Sequence, residues 1–290
     1  MIEMKGIYPA LVTPFTDTNK VDEKALQNLV EQLLKTGIDG FYVGGSTGES
    51  LLMSYAERRR VLEIVKSQTG TRAKIVAHIG SFHTDAAIKL AEHARDTGVD
   101  AISSLPPFYY KFTMNELQNY YHRIADAVDL PLIVYNAPAL TGIAFDSDNI
   151  APIFEHPRMA GIKFTSYDLF QMQRMMQKYD KLIINGHDEI FLSSLAIGCP
   201  MAIGSTFNFM PEVFIKIRMY FQQGEIGRAQ KLQSDANEVI ELLSKIGVFR
   251  GVKGMMNIKG LPSGTCREPF LPLTPEEMRE LEAAFTKLMY

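Results

Sequence analysis

The residues best able to do covalent chemistry in this chain lie near its middle. Lys163 sits inside the apolar run MAGIKFTS, flanked by Ile162 and Phe164. Lysine is almost never fully buried without a reason. On an apolar strand of a parallel barrel it points inward or at the mouth, where desolvation disfavours the ammonium and lowers the pKa, as an amine nucleophile requires. A buried ion pair, for instance with Asp188, accounts for the same lysine equally well. Tyr135 ends the run LIVY, and a phenol at a strand end either packs or moves a proton. The segment GGSTGES sets Ser46 and Thr47 among Gly44, Gly45 and Gly48. Such a turn aims backbone N–H groups and two hydroxyls at one point, which suits a carboxylate or phosphate. A plain tight turn is the alternative, and no lysine follows to make it a Walker loop.

Further along, NGHDEIF offers His187, Asp188 and Glu189. Three consecutive residues do not converge readily on one metal ion, and no HExxH or HxxxH accompanies them. Two carboxylates at a barrel rim suit the hydroxyls of a polyol, although Asp188 serves equally as a helix N-cap. Ser205, in IGSTFN, belongs to the same rim. Tyr109 and Tyr110 follow Pro106 and Pro107 in a loop, where exposed aromatics on a rigid turn point to an interface or a pocket wall.

These groups need a scaffold, and the pattern between them supplies one. Short β-branched or aromatic runs at 7–13, 40–43, 74–79, 101–104, 132–135, 160–164, 181–184 and 201–203 alternate with stretches of helical period, as stacked βα units do. The helical stretches 22–36, 54–69, 84–97 and 113–128 each start near a capping residue. Three joints, KTGIDGFYV, DTGVDAISS and AIGCPMAIG, repeat one chemistry: a glycine just past a helix, then an apolar residue entering a strand. Eight such units predict an α/β fold, a (β/α)8 TIM barrel, rather than an open doubly wound sheet. The barrel is expected over residues 1–223. Residues 224–290 carry two amphipathic helical patterns around a turn-rich connector, and read as a C-terminal helical extension of the same unit.

Composition narrows the function. The chain has 290 residues, 46% hydrophobic and 22% charged, with a net charge of −3 spread along its length. That balance gives no electrostatic reason to expect nucleic acid or an anionic membrane. No apolar run approaches the roughly 20 residues needed to span a bilayer, and the first residues lack a signal-peptide core. Cys199 and Cys266 have no metal-type spacing, and so few cysteines fit a reducing compartment. A cytoplasmic location is therefore expected. With no GxGxxG, no basic patch interleaved with aromatics and no Ser/His/Asp set, nicotinamide, nucleic-acid and acyl-transfer functions find no support.

Taken together, GSTGE at 45–49, YNAPALTG at 135–142 and GIKFTS at 161–166 resemble the dihydrodipicolinate synthase and N-acetylneuraminate lyase family of class I aldolases, across essentially the whole chain. Within it, NGHDEIF, GSTFN, GVFRGVK and CREPF are similar to the lyase versions of those segments. The resemblance implies cleavage of N-acetylneuraminate, a sialic acid, to pyruvate and N-acetylmannosamine, reversibly, without cofactor or metal, in a homotetramer. Lys163 would form an imine with the keto carbon and Tyr135 would move the proton of the C4 hydroxyl. Ser46 and Thr47 would bind the carboxylate, with Ser46 linking Tyr135 to Tyr109 of a neighbouring subunit. Thr165, Gly186, Asp188, Glu189 and Ser205 would hold the hydroxyl-bearing tail. Synthases usually carry an arginine where this chain has Leu140, and leucine makes no bidentate contact with a carboxylate. Many lyases have tyrosine or phenylalanine where this chain has His187. An aldolase for another 2-keto-3-deoxy sugar acid, a dihydrodipicolinate synthase and a barrel that merely senses a keto acid remain the rival expectations.

Overall fold

The structure, a computed structural model, describes residues 4–289. Its eight strands are β1 (Gly6–Pro9), β2 (Gly40–Val43), β3 (Lys74–His78), β4 (Ala101–Ser104), β5 (Leu132–Asn136), β6 (Met159–Phe164), β7 (Leu182–Asn185) and β8 (Met201–Gly204). All pair in parallel in the order β1-β8-β7-β6-β5-β4-β3-β2. The ring closes just past β1, where Ala10 bridges Tyr42 and the Leu11 N–H donates to the Tyr42 carbonyl at 2.9 Å. The expected barrel is the observed one.

The helices around it are α1 (Glu23–Lys35), α2 (Tyr55–Thr69), α3 (Thr84–Thr97), α4 (Met114–Ala127), α5 (Pro138–Thr141), α6 (Ala151–Phe154), α7 (Leu169–Lys178), α8 (Phe191–Ala196) and α9 (Pro211–Gln222). Three of the four helix starts expected from capping residues are capped, whereas α3 begins after His83 with no side-chain cap bond. The Asp22 carboxylate accepts from the Ala25 N–H, and Ser54 and Thr113 form capping boxes with Glu57 and Glu116. The repeated joints have one cause. Gly37, Gly98 and Gly198 all take positive φ, at 85°, 77° and 95°, a conformation that side chains with a Cβ rarely adopt.

The strand expected over 7–13 ends at Pro9, because its neighbour β8 ends at Gly204 and offers no further ladder. Residues 10–12 stay buried, but their N–H groups go to the Gly204 carbonyl, the Tyr42 carbonyl and the Asn208 Oδ1 in turn.

Two apolar layers result. One lies between sheet and helices; a smaller one fills the barrel, with Tyr8, Tyr42, Val76, Ile133, Tyr135 and Ile184 among its members. After α9 come α10 (Ile226–Ile246), α11 (Val248–Ile258) and α12 (Pro275–Met289). In α10 the buried positions Ala229, Gln233, Ala236, Val239, Leu243 and Ile246 recur at three and four residues, which turns one stripe inward. Both cysteines are free. No helix among the described residues is long and apolar enough to cross a membrane.

Candidate active site

Barrel strands place their carboxyl-end side chains around one mouth. Tyr135 on β5 and Lys163 on β6 are register partners, so both point into the barrel at one level. Each is 4% exposed. The Lys163 Nζ lies 3.8 Å from the centre of the Tyr135 ring and 5.2 Å from that of Tyr42. Burial alone would push the Tyr135 phenol up. The Lys163 ammonium, and then the donors of Lys163, Ser46 and Thr165 around the phenol oxygen, outweigh it and leave the phenol below the ordinary tyrosine value. A tyrosine so placed gives up its proton more readily than one in water.

Lys163 and Asp188 do not form the ion pair that the sequence left open. The Asp188 Oδ2 accepts from the Thr206 N–H at 2.8 Å and from the Thr206 hydroxyl at 2.7 Å. It ties the loop after β7 to the loop after β8, a use different from the N-cap. Burial pushes this carboxyl up to about 6 against those two bonds. Nor do His187, Asp188 and Glu189 converge. The Asp188 side chain turns to Thr206, while His187 and Glu189 turn toward Tyr167 at the rim.

The GGSTGES turn follows β2. Gly44 takes φ 72°, the Gly48 carbonyl accepts from the Thr13 hydroxyl at 2.8 Å, and the Thr47 hydroxyl pairs with that of Ser205 at 2.8 Å. A cavity of about 280 Å³ opens above Lys163 and Tyr135. Ser46, Thr47, Thr165, Gly186, Asp188 and Glu189 line it, with Ser205 on the same wall. That volume suits a small molecule. Gly186 packs so closely on Thr165 that a Cβ would fall 2.0 Å from its Oγ1. Every site residue expected from the sequence lines this cavity except Tyr109. Tyr109 lies in the loop after β4, 78% exposed and edge-on to Tyr110, and does not line the cavity. Leu140, on α5, lines the cavity and is exposed.

The sequence reading missed three parts of the site. His78, at the end of β3, holds the Gly44 carbonyl through Nδ1 at 2.9 Å, while its Nε2 accepts from the Leu105 N–H at 3.3 Å. Burial first, then the positive Arg58, pushes its pKa down to about 3, so the ring is neutral and its tautomer set. A polar residue at an inward strand position was the available signal. The second part is a buried support beneath the turn. The Lys253 Nζ meets the Glu49 Oε1 at 2.7 Å, with the two side chains 2% and 1% exposed. The Glu49 Oε2 accepts from the Arg267 N–H at 2.8 Å, and the Arg267 guanidinium pairs with Glu57. The third part is an apolar wall from α10 and α11, including Ile240, Leu243, Val248 and Phe249. In a wider cleft at the opposite end of the barrel, both cations are engaged: Arg158 pairs with Asp129 and Lys181 donates to the Met159 carbonyl.

Fold and mouth together define a (β/α)8-barrel protein whose ligand site holds a buried amine beside a buried phenol. The chain belongs to the dihydrodipicolinate synthetase family, whose model it matches over residues 3–288. It is 40% identical to the N-acetylneuraminate lyase of Rhizobium meliloti over 289 residues, covering 99% of this chain and 96% of that one. Among solved structures it is similar to Clostridium difficile CdNal in complex with mannosamine, with a TM-score of 0.95, 35% identity and 99% of each chain covered. A catalytic-lysine mutant of the Ruminococcus gnavus sialic acid aldolase gives a TM-score of 0.95 at 29% identity, covering 100% of this chain and 98% of that one.

Proposed function

We propose that this protein is a Schiff-base aldolase that cleaves N-acetylneuraminate to N-acetylmannosamine and pyruvate, reversibly. The observation that carries the reading is the Lys163 amine, enclosed at the barrel mouth and held against the Tyr135 ring. The lyases and sialic acid aldolases among its relatives support it. Ser46 and Thr47 bind the substrate carboxylate. The Lys163 amine adds to the keto carbon, water leaves, and a protonated imine forms. Tyr135 takes the proton of the C4 hydroxyl, the C3–C4 electron pair moves into the imine, and the aldehyde departs as N-acetylmannosamine. The resulting enamine is protonated at C3, and hydrolysis frees pyruvate and restores the amine. The protonated imine acts as the electron sink.

Thr165, Gly186, Glu189, Ser205 and the remaining Asp188 oxygen hold the hydroxyl-bearing tail. Leu140 speaks against the synthase branch, because a leucine side chain on the cavity wall cannot grip a second substrate's carboxylate. The exposed Tyr109 fits a residue completed by a second copy in a homotetramer, and a cytoplasmic setting suits the free cysteines.

Incubation with pyruvate and borohydride, followed by peptide mapping, tests the chemistry. An adduct on Lys163 is expected, and its absence would sink the Schiff-base reading. Tyr135→Phe should still trap pyruvate while cleavage of N-acetylneuraminate falls about a hundredfold or more. Negligible cleavage by the unaltered protein would defeat the sialic-acid assignment.

A further inference from the structure

At the outer rim Glu189 is held by two residues, Tyr167 and His187, to which the proposed chemistry gives no role. Tyr167 follows β6 and is 65% exposed, an unusual place for a large ring to be held. Its ring lies parallel to that of His187, with centres 4.3 Å apart and planes 10° from each other. Its hydroxyl donates to the Glu189 Oε1 at 2.5 Å, and the His187 Nδ1 stands 3.2 Å from the same oxygen. Behind them, the Asn237 side chain on α10 donates to the Glu189 carbonyl at 3.0 Å and Gln233 donates to that of Asp188 at 3.1 Å. Backbone and side chain of Glu189 are therefore both pinned.

The electrostatics agree with that geometry. Burial would push the Glu189 carboxyl up, but His187 and Tyr167 bring it down to about 2, so it is ionised at any working pH. The same bond pushes the Tyr167 phenol up to about 12, which keeps it a donor. Both side-chain partners converge on Oε1. Oε2 is left without a side-chain partner among the described residues, on a carboxylate that lines the cavity.

We propose that Tyr167, acting through Glu189 and stacked on His187, is a positioning residue that sets selectivity for long polyhydroxylated keto acids over short ones. The inference rests on the aldolase reading above. A glutamate carboxylate has three torsions to immobilise when it grips a ligand, and that ordering cost falls on affinity. The Tyr167–His187 unit has ordered it in advance, with one oxygen occupied and the other presented to the distal hydroxyls. A short keto acid reaches Lys163, Ser46 and Thr47 but not the rim, so it is indifferent to Tyr167.

The test compares the unaltered protein with Tyr167→Phe, which keeps the stack and removes only the hydroxyl, and with His187→Phe, which keeps a ring and removes the nitrogen. For each, pyruvate trapping at Lys163 is timed, and kcat and KM are measured on N-acetylneuraminate and on 2-keto-3-deoxy acids of decreasing length. For Tyr167→Phe the expected result is a rise in KM of about tenfold on the longest substrate. It should shrink with tail length, with kcat and pyruvate trapping within about twofold of the unaltered protein. His187→Phe should show the same pattern more weakly. An unchanged KM on the longest substrate overturns the proposal, and so does an equal loss on pyruvate and long acids. If pyruvate is not trapped even by the unaltered protein, the aldolase reading itself fails, a result distinct from either.

Discussion

Replacing Lys253 by methionine removes one half of a pair that water cannot reach, and the structure sets the size of the effect. The Lys253 ammonium is bound to the Glu49 Oε1 at 2.7 Å and to the Thr265 carbonyl at 2.9 Å, and lies 4.3 Å from the centre of the Phe15 ring. Methionine fills much the same volume but leaves the Glu49 carboxylate buried with the Arg267 N–H as its remaining donor. Breaking a buried pair from one side costs about 3–5 kcal/mol, because the orphaned charge stays out of water. Divided by an unfolding entropy of about 0.6 kcal/mol/K for a chain of this size, that is a fall in Tm of about 5–8 °C. The double variant Glu49→Gln with Lys253→Met has no orphaned charge and should recover most of the loss. Thermal unfolding followed by circular dichroism at pH 7 reads both. A fall below about 1 °C for Lys253→Met would refute the reasoning, as would a double variant less stable than the sum of its parts. Because Glu49 ends the turn that carries Ser46 and Thr47, the single variant should also slow pyruvate trapping, measured well below its Tm.

Two further outcomes follow from the site. His78 has a folded pKa of about 3 against an ordinary 6.5, so the unfolded chain takes up a proton that the folded one refuses. The stability it contributes is complete above about pH 6.5 and is lost as pH falls toward 3, at about 1.4 kcal/mol per pH unit. Denaturation midpoints measured from pH 7 to 4 should fall less steeply for His78→Asn, and parallel slopes would remove histidine from the account. At Gly186, an alanine Cβ would meet the Thr165 Oγ1 at 2.0 Å. Gly186→Ala should raise KM for the sugar acid about tenfold while pyruvate is still trapped; equal losses in steady-state KM and in trapping would show general damage instead.

The barrel and its buried amine–phenol pair were readable because both depend on short-range pattern. Lys163 lies in a strand with no other polar side chain at its centre, and Tyr135 falls one strand earlier at the same level. The glycines of the repeated joints announced the connections in the same way. The Lys163–Asp188 pair stayed open because a carboxylate's choice between an ammonium and the N–H of Thr206 depends on how two loops pack. Tyr167 was invisible for a related reason. Its role comes from a ring and an oxygen on the next loop, and nothing local distinguishes it from an ordinary surface tyrosine. Lys253 and Glu49 are likewise joined by topology alone, one on α11 and the other in the turn after β2.

The apolar wall contributed by Ile240, Leu243, Val248 and Phe249 divides the molecule's inheritance. Amine, phenol and the turn that carries Ser46 and Thr47 all come from the first two hundred or so positions, whereas this wall of the cavity comes from helices that follow the completed ring. Substitutions at these four wall positions should therefore reshape what the site admits without touching Lys163 or Tyr135. Such a barrel has a short path to new substrates, because changes in the wall need not alter the residues in the first stretch of the chain. Recombination between relatives at the β8 boundary should yield chimeras that keep the chemistry of one parent and the appetite of the other.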